Sequence, residues 1–507
     1  MENRTIKRAL ISVYHKEGID VIAKQINDLN IEIFSTGGTY DFIKGLGIPV
    51  KAVEEVTDYP SILGGRVKTL HPKIFGGILS RRESDSDAAQ VKEYSIPETD
   101  LVIVDLYPFE KYASSNASHQ EIIEKIDIGG ISLIRAAAKN YKDVIIVPCK
   151  ELYPALSHIL TEKVGVSSIE ERASFAAWAF NVSSHYDTAI FKYFNKEGSI
   201  DGFKESILSS IPLRYGENPH QKALFYGSPN DIPEQIHGKE ISYNNLLDIE
   251  AAIELISDFN APTVAILKHN NACGCASAQT ISQAWEAALA ADPVSAFGGI
   301  IIANREIDTQ SAQEMNKLFF EVIIAPSYNE DAFAVLCQKK NRIILINNSD
   351  LRTSKKFRSM LGGVLVQDRD SATEENESLI PVTNRVATEC ETQDLIFANK
   401  IVKHSKSNAI VLVKNSVLIS SGIGQTSRVD ALKQAITKAH NFGFSLEGSV
   451  MASDAFFPFP DCVEIAHQAG VTAVIQPGGS LRDGESIEYC NNNSVAMVIT
   501  NRRHFKH

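Results

Sequence analysis

Short apolar runs rich in β-branched residues alternate with amphipathic helical stretches along most of this chain, and that alternation limits the fold more than any other feature. ALISV (9–13), IEIFST (31–36), LVIVDLY (101–107) and DVIIVP (143–148) read as buried strands bounded by Gly or Pro. TYDFIKGLG (39–47) and ISLIRAAAKN (131–140) read as helices, each preceded by a glycine pair. This order predicts an α/β domain with a mainly parallel sheet, whose Gly-rich turns fall at strand C-termini, where open sheets bind ligands. A strongly helical stretch over about 167–196 closes the domain, and the polar NKEGSIDGFKES (195–206) reads as a linker.

At 507 residues the chain is too long for one core. A formal net charge of -12 argues against general affinity for nucleic acid or an anionic membrane. Small anionic ligands stay open, because phosphate sites need only local backbone N–H groups and a few cations. The seven Cys are odd in number and show no framework spacing, which fits reduced thiols in a cytoplasmic protein. The N-terminal apolar run spans only Ala9–Val13, too short for a signal peptide. Nor does any apolar stretch approach the ~20 residues that span a bilayer.

The second part carries a faint internal repeat. TVAILK (263–268), TISQAWEAALA (280–290) and ADPVSAFGG (291–299) are matched in order and character by NAIVLVKN (408–415), RVDALKQAITKA (428–439) and ASDAFFPFP (452–460). A duplicated α/β unit is expected, with AIVLV-KN-SVLIS as a tight hairpin. Between the copies, DRDSATEENES (368–378) reads as a solvated loop or interdomain strap.

Several motifs carry candidate chemistry. STGGT (35–39) follows a strand and opens a helix, so its backbone N–H groups suit a phosphate; a plain βα turn would look the same. GGRVKTLHP (64–72) concentrates Arg66, Lys68, Thr69 and His71 behind a glycine pair, as anion recognition or a basic loop would. DLYPF (105–109) ends a strand where Tyr107 can present a phenol, and DIGG places Asp127 before a helix that carries Lys139. In KHNNACG (268–274), Lys268 and His269 stand at the end of a strand, able to supply a proton donor and a base of near-neutral pKa. Cys273 and Cys275 invite a zinc reading, but the H-x-E and P-C-x-x-C elements of zinc deaminases are absent. LRYGENPHQ (213–221), SGIGQTSR (421–428) and SDAFFPFPD (453–461) add Arg, Tyr, Phe and Asp beside turns, together resembling a divided nucleotide pocket.

With those strings in that order, the chain resembles the bifunctional AICAR transformylase/IMP cyclohydrolase family over nearly its full length. GGRVKTLHP, LYPF, DIGG-x-x-L-x-RAAAKN, LRYGENPHQ, KH-x-N-x-CG, SAFGG, GQ-x-SR and SDAFFPF are collinear. Two departures are Ala272, where bacterial members usually carry Pro, and Glu321, at a position that is Asp in some relatives. The resemblance implies an α/β protein: a methylglyoxal-synthase-like parallel-sheet domain (1–200), then a duplicated cytidine-deaminase-like region (201–507, in units of roughly 201–367 and 368–507). It implies IMP cyclohydrolase activity in the first part and formyl transfer to AICAR in the second. 10-Formyltetrahydrofolate would be the cosubstrate, with no zinc, and AICAR, formyl-AICAR, IMP and folate the only partners besides a second copy in a homodimer.

By the same resemblance, Lys68, Tyr107, Asp127 and Lys139 form the cyclohydrolase set. The lysines and Tyr107 would act as donors and oxyanion stabilisers, and Asp127 as proton acceptor. Thr36, Gly37, Gly38, Thr39, Arg66 and Thr69 would hold phosphate and ribose. In the transformylase, His269 would be the base and Lys268 the stabiliser of the formyl oxyanion or a proton relay. Arg214, Tyr215, Phe297, Gly298, Asn408, Arg428, Phe456 and Arg503 match substrate positions, and Asp461 the folate side.

Overall fold

The computed structural model describes residues 3–347 and 353–507, and the chain divides into two units, Met1–Leu208 and Ser209–His507. In the first unit the apolar runs become β1 (Arg8–Ser12), β2 (Glu32–Ser35), β3 (Lys51–Ala52), β4 (Leu101–Val104) and β5 (Ile145–Val147). They form a sheet in the order β3-β2-β1-β4-β5 with every neighbouring pair parallel. Leu101–Val104 is buried at every position, because both faces of a parallel sheet are covered. Ala9, Ile11, Leu101 and Ile103 pack on one side against Ile22, Ile26 and Leu156. Leu10, Val102 and Val104 pack on the other against Leu133 and Ala137. Among the helices are α1 (Gly37–Gly45), α2 (Gly129–Lys139) and α3 (Ile169–Phe194). A capping box starts α3, Ser168 Oγ accepting from the Glu171 N–H and the Glu171 carboxylate accepting from the Ser168 N–H at 2.9 Å. The chain winds outward from β1 to β2 and β3 on one side and continues at β4 and β5 on the other. That reversal opens a crevice at the C-terminal ends of β1 and β4.

The second unit opens on an antiparallel hairpin of β6 (Ser210–Leu213) and β7 (Ala223–Tyr226), followed by β8 (Glu234–His237) and α4 (Tyr243–Ile256). Next come β9 (Thr263–Lys268), β10 (Asn271–Ser277), α5 (Ile281–Ala291), β11 (Ile300–Ala303), β12 (Val322–Ala325) and β13 (Ile343–Ile346). After a second hairpin, β14 (Lys355–Met360) and β15 (Gly363–Asp368), the pattern repeats. It runs through β16 (Ile380–Pro381), α6 (Glu389–Lys403), β17 (Ile410–Lys414), β18 (Val417–Gly422), α7 (Arg428–Asn441), β19 (Ser449–Ser453), β20 (Val471–Gln476) and β21 (Ala496–Ile499).

Among the described residues, twelve strands of this unit form one sheet in the order β8-β13-β12-β11-β9-β10-β18-β17-β19-β20-β21-β16, a palindrome about the β10–β18 junction. The junction is narrow: Ala276 pairs with Val417, and the Ser277 N–H donates to the Ser416 carbonyl at 3.0 Å. The duplication reaches into detail. Both central hairpins carry a register shift at the same place, between Ile266 and Leu267 and between Leu412 and Val413. Both turn through two left-handed non-glycine residues, His269 (φ 50°) and Asn270 (64°) in one, Asn415 (55°) and Ser416 (58°) in the other.

The segment 368–378 is held at points and exposed between them: Arg369 pairs with the mostly buried Glu254 and Glu374 is buried against Asn399 and His504, while residues 375–378 are exposed. The C-terminal tail is anchored to it, with His504 only 2% exposed. Arg369, Glu374 and His504 each have a charged partner that makes burial tolerable.

Candidate functional sites

A cavity of about 850 Å³ occupies the crevice of the first unit. Its floor is the ends of β1 and β4 (Ser12, Val13, Val104), and two helix N-termini face it, α1 with Gly37–Thr39 and α2 with Gly129 and Gly130. The free N–H groups that open α1 and the positive dipole end of that helix favour an anion. Gly37 has φ 53°, and a Cβ there would meet Lys68 Nζ at 3.1 Å, so the Lys68 ammonium lies against the turn that opens α1. Thr36 Oγ1 is buried with no hydrogen-bond partner among the described residues, an acceptor and donor still unused in the cavity wall. Thr39 is spent internally: its hydroxyl donates to the Val13 carbonyl at 2.9 Å and accepts from the Val13 N–H at 3.1 Å.

Opposite stands Asp127. Its Oδ1 accepts from the N–H groups of Gly130 (2.5 Å) and Ile131 (3.3 Å), so the carboxylate does cap α2. Burial nevertheless pushes its pKa above the ordinary carboxylate value, against the pull of those N–H groups. The Thr69 hydroxyl lies 3.2 Å from where a Gly129 Cβ would stand. Arg66 lines the rim and is paired with Glu124, and the exposed Tyr107 completes the wall.

Lys139 is the exception: it ends α2, exposed, roughly 15 Å along the axis from Gly129, and it is not part of the cavity wall. Two wall residues were missed in the sequence. Lys16 donates to the Tyr14 carbonyl and to Thr39 Oγ1, each at 3.2 Å, and burial lowers its pKa. Asp105 accepts from the His15 N–H at 3.0 Å and meets His15 Nδ1 at 2.8 Å. Both lie within four residues of a strand's C-terminal end at the point where sheet order reverses, and that position was the available signal.

In the second unit, the β9–β10 turn displays His269 to solvent, while Lys268 Nζ donates to the Phe297 carbonyl at 2.9 Å. Gly298 follows at φ 75°, its N–H on the Phe319 carbonyl at 2.8 Å, and the Phe297 and Phe319 rings lie 5.1 Å apart. Asn271 ties the turn to the second repeat, accepting the Lys406 N–H on Oδ1 at 2.9 Å. Two residues on, Asn408 donates to the Gln425 carbonyl at 3.0 Å. Arg428 begins α7, with Nη2 on Asp454 Oδ1 at 3.0 Å and Nε on Ser453 Oγ at 3.2 Å. Its guanidinium and that of Arg503 both stack on the Phe505 ring, at 5.8 and 4.2 Å.

Arg214 and Tyr215 pack on each other in the exposed loop after β6, and that loop is tied to α4 through Asn244, which donates to the Glu217 carbonyl at 3.1 Å. One turn along the same face, Asp248 accepts the Asn270 N–H. Phe456 is exposed beyond β19, and Asp461 opens the following helix, its Oδ1 on the Cys462 N–H at 2.8 Å. Glu321 is engaged by Lys239 at 3.0 Å.

The Cys-x-Cys pair is split by the β-bulge. Leu267 pairs with Ala272 and Ile266 with Gly274, so Cys273 is the extra residue. It turns toward Trp285 while Cys275 joins the opposite face with Leu255. Two thiols on opposite faces of a sheet cannot share an ion, and burial pushes the Cys273 thiol up to about 12. Among the described residues there is no group of three or more His, Cys, Asp or Glu that could hold a metal.

An anion crevice in a parallel-sheet unit, joined to a duplicated unit with proton-transfer groups on a turn, is the build of a two-site α/β enzyme acting on small anionic molecules. Residues 137–438 match the family described as AICARFT/IMPCHase bienzyme, and residues 18–132 match the MGS-like domain. The chain belongs to the AICARFT/IMPCHase bienzyme family. It is 61% identical to a bifunctional purine biosynthesis protein PurH from Bacteroides thetaiotaomicron over 507 residues, covering 100% of both chains. It is 46% identical to the protein of that name from Acetivibrio thermocellus, covering 99% of this chain and 100% of that one. A solved chain described as the crystal structure of ForH aligns at 32% identity over 38% of this chain and 99% of its own, with a TM-score of 0.34.

Proposed function

We propose that the family's two reactions divide between the two units, ring closure in the cavity of the first and formyl transfer at the Lys268–His269 turn of the second. The chain is a bifunctional enzyme of purine biosynthesis: it moves a formyl group from 10-formyltetrahydrofolate to AICAR and closes the product to IMP with loss of water. The observation that carries the first assignment is the cavity itself, where two helix N-termini and the Lys68 ammonium converge beside the buried Asp127.

In that cavity the turn Thr36–Thr39 and Lys16, with Arg66 at the rim, take the 5′-phosphate, and Thr69 the ribose. The carboxamide nitrogen attacks the neighbouring formyl carbon. Both groups sit on one ring, so orientation supplies much of the rate. Asp127, its pKa raised by burial, takes the nitrogen's proton. Lys68 and Tyr107 supply charge and protons to the developing oxygen before it leaves as water. Lys139 stands outside the wall within one chain, so its part in closure requires a neighbouring copy to bring it to a cavity.

In the second unit the AICAR amine is a weak nucleophile, its lone pair drawn into the ring. His269 takes the amine proton as the N–C bond to the formyl group forms. The bond to the folate nitrogen then breaks and that nitrogen is protonated, while Lys268 stabilises the formyl oxygen. Arg428 and Arg503, drawn to one side by Phe505, hold the phosphate, with Arg214, Tyr215, Phe297, Gly298, Asn408 and Phe456 around the base and ribose. Asp461 serves the folate.

A homodimer is part of the same reading. The β14–β15 hairpin forms strand pairs only with itself among the described residues and exposes Met360, Leu361, Val364, Leu365 and Val366. A lone two-stranded ribbon this apolar needs a covering surface. The seven unpaired cysteines support a reducing, cytoplasmic setting. The division of labour is tested by Lys68→Ala, which should abolish closure of supplied formyl-AICAR while formyl transfer persists. Equal loss of both activities in a folded variant would contradict it.

A further inference from the structure

We propose that Asp248 is a positioning residue for His269: it pins the turn that presents the imidazole and supplies the negative charge that faces it as it takes the amine proton. This rests on the reading of His269 as the base. The argument begins from the duplication. Asp248, Lys268, His269 and Asn270 in the first repeat stand in the same register as Asp394, Lys414, Asn415 and Ser416 in the second, separated by the same number of residues throughout. Each Asp lies on the helix before its hairpin and reaches the hairpin's left-handed turn.

The two copies use their carboxylates differently. Asp394 takes both turn N–H groups, Asn415 on Oδ2 at 2.8 Å and Ser416 on Oδ1 at 2.6 Å. Asp248 takes only Asn270, on Oδ1 at 2.6 Å, and among the described residues no donor reaches its Oδ2. The purely structural copy therefore satisfies its carboxylate with backbone, while the copy whose turn bears a histidine binds only the N–H next to that histidine and leaves its other oxygen without a protein donor. Asp248 is largely buried, and this raises its pKa, while the Asn270 N–H and the charge of His269 draw it down again. The other ionisable groups around the pair are Glu321, which pushes the Asp248 pKa up and is itself held by Lys239, and Lys268, whose ammonium is on the Phe297 carbonyl. By holding the Asn270 N–H, the carboxylate fixes the left-handed turn from which His269 projects. The chemistry is unaltered by it: the proton still passes from the amine nitrogen to His269.

Asp248→Asn keeps an oxygen for the Asn270 N–H and removes the charge, and Asp394→Asn makes the same change at the twin turn. For Asp248→Asn we expect kcat for formyl transfer to fall at least tenfold with KM for AICAR within about threefold. Asp248→Glu should recover part of the rate, and Asp394→Asn should stay within threefold of the parent. Closure of supplied formyl-AICAR by each variant reports that the chain is folded. If His269→Ala is crippled while Asp248→Asn keeps kcat within twofold, the positioning role is overturned and the base assignment stands. A normal kcat in His269→Ala overturns the base assignment itself. Equal rate losses in the two Asn variants reduce Asp248 to a turn brace, and this too overturns the proposal.

Discussion

Replacing Arg428 by Ala separates the observed task of its guanidinium, holding Asp454, from the proposed one, binding the phosphate of AICAR. Arg428 holds Asp454, whose side chain is fully buried and whose Oδ2 has no partner among the described residues. Truncation leaves that carboxylate uncompensated inside the protein, at a cost of about 3–5 kcal/mol. For a unit of this size the loss lowers Tm by on the order of 10 °C. The arginine also has N–H groups beyond the two that bind Asp454 and Ser453, and these are free to take phosphate. A charge-assisted contact is worth about 1.5–3 kcal/mol, so its loss raises KM for AICAR roughly 10- to 100-fold and leaves kcat nearly unchanged. The double variant Arg428→Ala/Asp454→Asn removes the stranded charge. It should recover most of the lost Tm and none of the lost affinity. The assay is thermal unfolding of parent, single and double variants, with steady-state formyl transfer to AICAR and to its nucleoside. A single variant that melts within about 2 °C of the parent would refute the buried-charge argument. KM values that rise equally for nucleotide and nucleoside would refute the phosphate contact.

Two further predictions follow from buried groups. His504 lies between Asp370 (2.7 Å) and Glu374 (3.1 Å), and although burial alone would lower its pKa, the two carboxylates raise it to about 9. Against an unfolded value of about 6.5, its stabilisation is complete below that pH and is lost as pH rises through 9. Tm should therefore fall more steeply between pH 7 and about 9.5 in the parent than in His504→Gln, and parallel slopes would dismiss the cluster as a contributor. Because Cys273 and Cys275 face opposite sides of the sheet, elemental analysis should find no stoichiometric zinc and chelators should spare both activities. About one zinc per chain, with activity lost on chelation, would contradict this.

The elements of both units were legible because their strands are continuous apolar runs cut by Gly or Pro, and GGRVKTLHP, DIGG and KHNNACG fall where turns meet strand or helix ends. What escaped depends on partners that are distant in sequence. Asp248 and Asp394 look like ordinary helix carboxylates until each is seen to hold its left-handed turn. The charges of 368–378 left a solvated loop and a strap both open, because composition cannot show that Glu374 and His504 would find one another. The missing H-x-E and P-C-x-x-C elements already argued against zinc at Cys273 and Cys275, but the bulge that turns one thiol away is set by pairing with Ile266 and Leu267 and could not be read from the spacing. Lys139 was grouped with Lys68 and Asp127 through family resemblance, and ten residues of helix carry it away from the cavity of its own chain.

Two separate sites in one chain are tested most directly by mixing the variants that disable each. On the proposed division Lys68→Ala should retain formyl transfer and His269→Ala ring closure, so neither alone should convert AICAR and 10-formyltetrahydrofolate to IMP. Formyl-AICAR released by the first is substrate for the second, and closure draws the unfavourable transfer forward. The account predicts that IMP, followed by chromatography, appears in the mixture at a rate that scales with both proteins. No IMP from the mixture, when each variant has been shown to retain its own half-reaction, would contradict it.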